Sequence, residues 1–148
     1  MEKVGWDEWR DLSKRGNEKT EEDRIIARRF DKEFFDGDRK NGYGGYYYNS
    51  KFWTEVVKDL NNFYKLKSGS KILDIGCGNG ELLRLLSNKK NIDCTGIDFS
   101  ERAVNLTKDK GINAEVFDIF KDDYKILGDF DYITMFEVLE HIPNAEEA

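Results

Sequence analysis

The sequence has little cysteine, histidine or proline, and these shortages exclude several kinds of protein. Two cysteines and one histidine in 148 residues cannot supply the ligand set of a structural metal site or a disulfide framework. We therefore expect no bound metal and a reducing, cytoplasmic environment. With a single proline, glycine is left to mark most of the turns.

Long apolar runs and an excess of positive charge are also missing. No stretch approaches the ~18 apolar residues of a membrane helix, and the charged, Trp-containing start of the chain is unlike a signal peptide. The net charge of −6 argues against a broad nucleic-acid footprint, which needs clustered Lys and Arg. The composition thus predicts a soluble domain that binds neither membranes nor nucleic acid.

Helical periodicity dominates residues 1–64, which we interpret as a helical and aromatic extension. Trp6, Trp9 and Leu12 share one face of a short helix, and apolar stripes predict single helices over residues 21–35 and 51–64. Glycines and tyrosines, Tyr43 and Tyr46 among them, fill the loop between these two helices. The tyrosines either pack the helices onto the rest of the chain or offer ring faces to a cationic ligand.

Strands and helices alternate through the second predicted domain, residues 65–148. Short apolar runs predict strands over residues 71–75, 92–97, 114–117 and 131–136, and helices are predicted over residues 81–88 and 100–110. Ser100 is the expected N-cap of the second helix, and Gly111 is expected to end it. This alternation is typical of an α/β fold with a parallel sheet and right-handed crossovers.

A glycine-rich turn follows the first strand directly: Asp74-Ile-Gly76-Cys-Gly78-Asn-Gly80. Glycines at a strand-to-helix turn let the backbone approach a ligand closely. Asp98 ends the second strand, where a carboxylate can accept both hydroxyls of a ribose. The G-x-G-x-G spacing differs from the G-x-G-x-x-G of dinucleotide folds, and an acidic neighbour repels a pyrophosphate but can hold an ammonium group. Asp74 alternatively caps the helix.

Four segments together resemble the class I, Rossmann-like methyltransferases that use S-adenosylmethionine, in the branch that acts on small molecules. They are the glycine-rich turn, Gly96-Ile-Asp-Phe-Ser100, Phe117-Asp118, and Phe136-Glu-Val-Leu-Glu-His-Ile-Pro143. The resemblance implies a sheet of about four strands in the order 3-2-1-4, with helices on both faces. It also implies methyl transfer to an O, N or C nucleophile of a small molecule, with S-adenosylhomocysteine as the product.

The resemblance also assigns site residues. Asp98 takes the ribose place, and acidic Asp118 takes the place that meets the adenine amino group, unless it belongs only to an acidic, solvated loop. Glu137 and His141 share a face if their segment is helical, and His141 either serves as a general base or caps a turn. Cys77 fills space in the turn rather than acting as a nucleophile. The full set of cofactor-binding residues that we predict is Asp74, Gly76, Cys77, Gly78, Gly80, Asp98, Phe99, Asp118, Ile119, Tyr43 and Tyr46.

The domains that this sequence resembles continue with three more strands and further helices, so we expect a shortened domain whose fourth strand has an open edge. A second interpretation follows: a non-catalytic fragment that binds S-adenosylmethionine and is completed by a partner or a second copy through that edge. A third, an NAD-dependent oxidoreductase, is disfavoured by the glycine spacing.

Overall fold

The computed structural model describes residues 19–42 and 50–142, in two compact units, Met1–Tyr47 and Tyr48–Ala148. Trp6, Trp9, Leu12, Tyr43 and Tyr46 lie outside the described residues. The sequence-based division after residue 64 differs from this one, because the helix over residues 50–64 packs against the core of the second unit.

The first unit contains two short helices, α1 (Glu21–Ala27) and α2 (Lys32–Asp36). The single helix predicted over residues 21–35 is therefore wrong. Phe30 adopts a left-handed φ of 49°, and the Asp31 side chain accepts the Glu33 N–H to begin a new helix. The apolar stripe continues across the break, since Phe34 and Phe35 are buried, which is why periodicity alone did not reveal it.

The second unit is built on a parallel sheet of four strands. The strands lie in the order β3-β2-β1-β4, which confirms the prediction. Their predicted limits differ from the observed ones by at most one residue at either end. The observed bounds are β1 Lys71–Ile75, β2 Asp93–Asp98, β3 Asn113–Val116 and β4 Tyr132–Met135.

Three helices of this unit, α3 (Ser50–Tyr64), α4 (Glu81–Lys90) and α5 (Glu101–Lys108), lie on one face of the sheet. Side chains from α3 and α4 join Ile72 and Cys94 in one core cluster, and α5 reaches the same cluster through the contact of Thr107 with Cys77. Neighbouring strand residues point to the opposite face.

That second face carries a smaller cluster of Leu73, Ile75, Ile97 and Phe117. It is covered by the segment after β3, which includes a short 3₁₀ helix, Tyr124–Leu127. Helices were predicted on both faces; within residues 50–142, α3, α4 and α5 lie on one face of the sheet, and this 3₁₀ helix lies on the other. No helix within residues 19–42 and 50–142 is long and apolar enough to cross a membrane.

Ser100 caps α5 as predicted, and the cap gives a test of the local structure. Its side-chain oxygen accepts the Ala103 N–H at 3.4 Å. We expect Ser100→Ala to lower the free energy of unfolding by about 0.5–1 kcal/mol, measured by urea denaturation. Ser68→Ala, at an exposed turn, is the matched control and should change the unfolding midpoint little. Equal effects of the two substitutions would contradict the capping role.

Candidate functional site

The glycine-rich turn joins β1 to α4, at the carboxyl end of the sheet. Gly76, Gly78 and Gly80 all have positive φ, at 73°, 54° and 72°, a conformation that costs other residues about 1–2 kcal/mol. A Cβ on Gly76 would lie 2.3 Å from Val138 Cγ2, and one on Gly80 would lie 2.6 Å from Thr107 Oγ1. The turn is therefore fixed by backbone conformation and by close neighbours together.

The backbone N–H groups of the turn mostly bond within the protein. Gly76 and Cys77 both donate to Ile97 O, at 2.8 and 3.0 Å, and Gly80 donates to Cys77 O. Gly78 N–H donates to Asp98 Oδ2 at 2.9 Å. The sequence predicts a close approach of this backbone to a ligand; in the structure these four N–H groups bond within the protein and shape the turn.

Asp98 is held at the end of β2 by two backbone donors. Gly78 N–H bonds one carboxylate oxygen, and Ser100 N–H bonds the other at 2.8 Å. Burial raises the pKa of Asp98, and these two hydrogen bonds work in the opposite direction. Because each carboxylate oxygen can accept two hydrogen bonds, Asp98 keeps one acceptor position on each oxygen for ligand hydroxyls.

Asp74 is buried on β1, with 4% of its surface exposed. Thr134 Oγ1 donates to its Oδ1 at 2.7 Å. Burial raises the pKa of Asp74 to about 7; the Thr134 hydrogen bond lowers it, and the negative charge of Asp98 raises it further. A carboxyl group with this pKa is partly protonated near neutral pH. A cation placed beside it would stabilise its ionised form.

The two carboxylates lack a basic partner in the described part of the chain. Ion pairs there involve other acidic residues, such as buried Glu81, which pairs with Arg84 and Lys110. Lys110 also donates to Asn79 O at 2.5 Å, so this cationic group supports the turn from the side of α5. No ion pair in that part of the chain therefore neutralises Asp98 or the ionised form of Asp74.

Residues after β2 and β3 complete this edge of the sheet. Phe99, directly after Asp98, is 59% exposed and offers a ring to a flat ligand. Phe117 N–H donates to Asp98 O at 2.9 Å, which brings the following Asp118 to the same edge. The Asp118 carboxylate already bonds Lys121 Nζ and Phe120 N–H, and Ile119 packs on the second cluster, so local turn contacts occupy both residues.

The segment after β4 does not form the α-helix that would place Glu137 and His141 on one face. Glu137 has a left-handed φ of 55°, and only a 3₁₀ turn, Leu139–His141, follows. A hydrogen bond with Glu140 raises the pKa of Glu137, and His141 lowers it. Because Val138 packs against Gly76, this segment nevertheless lies beside the glycine-rich turn.

Both cysteines are buried, and burial raises the pKa of each thiol to about 12. Cys77 contacts Thr107 Oγ1 at 3.7 Å, and a Cβ on Gly96 would lie 2.6 Å from its sulfur. These contacts favour the interpretation of Cys77 as a space-filling residue of the turn.

Thiol reactivity tests this interpretation of the cysteines. At about pH 8, a thiol of this pKa is ionised in only about 1 molecule in 10,000. We expect neither cysteine to react with an aromatic disulfide reagent within minutes in the folded protein, and both to react in denaturant. A fast-reacting thiol in the folded protein would contradict the buried, neutral state.

Three neighbours of the turn were missed by sequence reasoning: Thr107, Thr134 and Val138. Thr107 Oγ1 donates to Gly78 O at 3.0 Å, and it shares the buried face of α5 with Ala103 and Val104. A hydroxyl on a buried helix face, or within an apolar strand, is the feature that could have indicated such a role. No sequence feature indicates the contact of Val138.

Comparisons with known proteins agree on one family. A family model described as a methyltransferase domain matches residues 47–148. The 27-O-demethylrifamycin SV methyltransferase of Amycolatopsis mediterranei is 31% identical over 98 residues, 62% of this chain and 36% of the relative. The ubiquinone biosynthesis O-methyltransferase of Thiobacillus denitrificans is 32% identical over 83 residues, 52% of this chain and 35% of the relative. The chain spans about a third of the length of these relatives.

Solved structures agree with the fold. The plantazolicin methyltransferase BpumL, in complex with a triazolic desmethylPZN analog and SAH, is 25% identical, with a TM-score of 0.55, over 76% of this chain and 46% of that one. The magnesium protoporphyrin IX methyltransferase of Synechocystis PCC 6803 with bound SAM shares the fold at 24% identity, with a TM-score of 0.58, over 84% of this chain and 66% of that one. Because the family model covers more than half of the sequence, this chain belongs to the methyltransferase domain family.

Proposed function

We propose that this chain binds S-adenosylmethionine at the carboxyl ends of β1 and β2 and serves in methyl transfer to a small molecule. The observation that carries the proposal is the pair of carboxylates, buried Asp74 and half-buried Asp98, beside a turn of three glycines and without a basic partner among the described residues. The cofactor carries an ammonium group, a sulfonium, a ribose and an adenine, and no phosphate. Its cationic end therefore suits a negative site.

Each residue at this edge has a role in the proposal. Ionised Asp74 pairs with the ammonium group, and the free acceptor positions of Asp98 receive the ribose hydroxyls. The exposed ring of Phe99 lies against the adenine. Gly76 and Gly80 let the turn pack closely against Val138 and Thr107 and so hold its shape beside the two carboxylates. Asp118, Ile119, Tyr43 and Tyr46 remain predicted cofactor contacts.

A dinucleotide fits the same residues poorly. A pyrophosphate needs unpaired N–H groups at the turn and a positive environment, whereas Gly76, Cys77, Gly78 and Gly80 donate within the protein. The charge of the two carboxylates would oppose a phosphate directly. These contacts support the preference for S-adenosylmethionine over NAD.

Methyl transfer requires the protein mainly to position the cofactor and the acceptor. The bound cofactor supplies a methyl group on a positively charged sulfur that leaves as a neutral thioether. The chain holds the cofactor so that an acceptor nucleophile approaches the methyl group in line. Glu137 and His141, in the segment beside Gly76, are the candidates for taking a proton from the acceptor. An oxygen acceptor is our first choice, since two of the relatives are named as O-methyltransferases or for an O-demethylated compound.

A transfer assay tests this proposal. The chain is incubated with methyl-labelled S-adenosylmethionine and a panel of small hydroxylated aromatic compounds, and S-adenosylhomocysteine is quantified. We expect formation that depends on an acceptor and that falls about 30-fold or more in Asp98→Asn, because an ionic hydrogen-bond acceptor is lost. Asp93→Asn, at the exposed opposite end of β2, is the matched control. Product formation unaffected by Asp98→Asn would contradict the assigned site.

Location and assembly remain predictions from the sequence. The two cysteines and the negative net charge support a cytoplasmic protein without a nucleic-acid partner. In the described residues β4 lies at one edge of the sheet, which supports the proposal of a homodimer through that edge. Sizing chromatography at several protein concentrations distinguishes monomer from dimer.

A further inference from the structure

A hydrogen bond between the side chains of Thr134 and Asp74 connects β4 to β1. The two residues are partners in the register of β4 and β1, so their side chains point to the same face of the sheet. Thr134 Oγ1 lies 2.7 Å from Asp74 Oδ1 and 3.4 Å from Leu73 O. A hydroxyl has one hydrogen, and the shorter distance, typical of a bond to a carboxylate, assigns that hydrogen to Asp74.

We propose that Thr134 is a positioning residue for cofactor binding: its hydroxyl holds Asp74 as the anion that pairs with the ammonium group of the cofactor. This inference rests on the proposed function. Among the described residues, Thr134 donates the single hydrogen bond that the Asp74 carboxylate accepts. Removing the donor would leave Asp74 with burial and the charge of Asp98, both of which favour the protonated form. A protonated carboxyl cannot form the ion pair.

The other titratable groups around Asp74 do not replace this donor. Asp98 and Cys94 on β2, and Cys77 in the turn, are acidic groups whose ionisation would oppose that of Asp74. On α4, Glu81 is paired with Arg84 and Lys110. On α3, Glu55 and Lys58 form an exposed ion pair with each other. Within residues 19–42 and 50–142, the Thr134 hydroxyl is thus the group that favours the ionised form of Asp74.

The dependence of binding on pH separates this role from simple packing. In the wild type, affinity for S-adenosylhomocysteine should rise as pH increases through about 7, the pKa of Asp74, because the ionised carboxylate binds the ammonium group. In Thr134→Val this rise should move to higher pH. Affinity near pH 7 should then fall about 10-fold, as expected for a lost hydrogen bond to a charged group. The amino group of the ligand also titrates, but it is the same for every variant.

Isothermal calorimetry between about pH 5.5 and 8.5 provides the test. Thr134→Ser keeps the hydroxyl and should restore the wild-type profile. Thr134→Ala lacks it and should behave as Thr134→Val does. One of the two hydroxyl-free variants is enough for the test, provided that its circular dichroism spectrum matches that of the wild type. Thr95→Val, on β2, changes the same side chain at a site without a contact to Asp74 and should leave the profile unchanged.

The outcomes are distinguishable. A shifted profile in a folded hydroxyl-free variant, restored by Thr134→Ser, supports the positioning role. Wild-type binding with an unshifted profile in that variant, or a shift that Thr134→Ser retains, overturns it and leaves the proposed function standing. A wild type that binds S-adenosylhomocysteine at no pH overturns the proposed function itself, and the inference with it.

Discussion

Replacing Asp74 by asparagine is expected to stabilise the fold near pH 8 and at the same time to weaken cofactor binding. Burial raises the pKa of this carboxyl from 3.8 to about 7, so above pH 7 the folded protein holds a buried anion that the unfolded chain would expose to water. Asparagine has similar volume and can still accept the Thr134 hydrogen bond, without a charge. We expect a gain of roughly 1–3 kcal/mol in the free energy of unfolding.

The difference in the free energy of unfolding between Asp74→Asn and the wild type depends on pH. Between about pH 4 and 7 the folded state binds this proton more tightly than the unfolded state, so the contribution of Asp74 to stability falls as pH rises. The advantage of Asp74→Asn over the wild type should therefore be small near pH 4, grow to about pH 7 and then stay constant. Urea denaturation at several pH values measures it. Asp93→Asn, exposed on the same sheet, should show no such trend.

Binding should respond in the opposite direction. The ion pair with the ammonium group is lost in Asp74→Asn, and a charged hydrogen bond of this kind contributes about 1.5–3 kcal/mol. Affinity for S-adenosylhomocysteine should fall at least about 10-fold near pH 8. Unchanged affinity in the variant would contradict the ion pair with the ligand. Lower stability in the variant would show that the Asp74 carboxylate has a stabilising partner within the protein.

Replacing Gly76 by alanine is expected to lower stability by about 2–5 kcal/mol, for two separable reasons. A left-handed φ costs a residue with a Cβ about 1–2 kcal/mol, and Gly76 has a φ of 73°. The new Cβ would also lie 2.3 Å from Val138 Cγ2, and overpacking of this kind costs about 1–3 kcal/mol. Chemical denaturation measures the sum.

Two further variants divide that sum. Gly69 also has a positive φ of 82°, but nothing lies within 4 Å of its Cβ position, so Gly69→Ala reports the backbone strain alone, about 1–2 kcal/mol. Adding Val138→Ala to Gly76→Ala removes the clashing atoms and should recover the remainder. A double variant no more stable than Gly76→Ala alone would show that Val138 does not pack against the turn.

The position of β1 was predictable from the sequence because all of its residues except Lys71 are buried. Continuous apolar runs such as Ile72-Leu-Asp-Ile75 give a pattern that few other structures share, and the glycines after β1 fix where the first crossover begins. Ser100 was identified as a cap from local chemistry alone. Features determined by neighbours in sequence were thus available in advance.

Features determined by residues that are close in space but distant in sequence could not be predicted in advance. The break at Phe30 and the left-handed Glu137 both occur at residues whose type disfavours that conformation, so no local rule indicates them. The Thr134 contact with Asp74 depends on the register between β4 and β1, 60 residues apart. The bonding of the turn amides to Ile97 O depends on how closely β2 approaches the turn. Each needs the assembled sheet.

A calorimetric titration of the wild-type chain with S-adenosylhomocysteine, and in parallel with NADH, tests the central claim most directly. Two carboxylates that have no basic partner within residues 19–42 and 50–142 should accept the ligand that carries an ammonium group and repel the one that carries a pyrophosphate. We predict saturable binding of one S-adenosylhomocysteine per chain and no detectable binding of NADH. Preference for NADH, or binding of neither ligand, would contradict the assignment of this site.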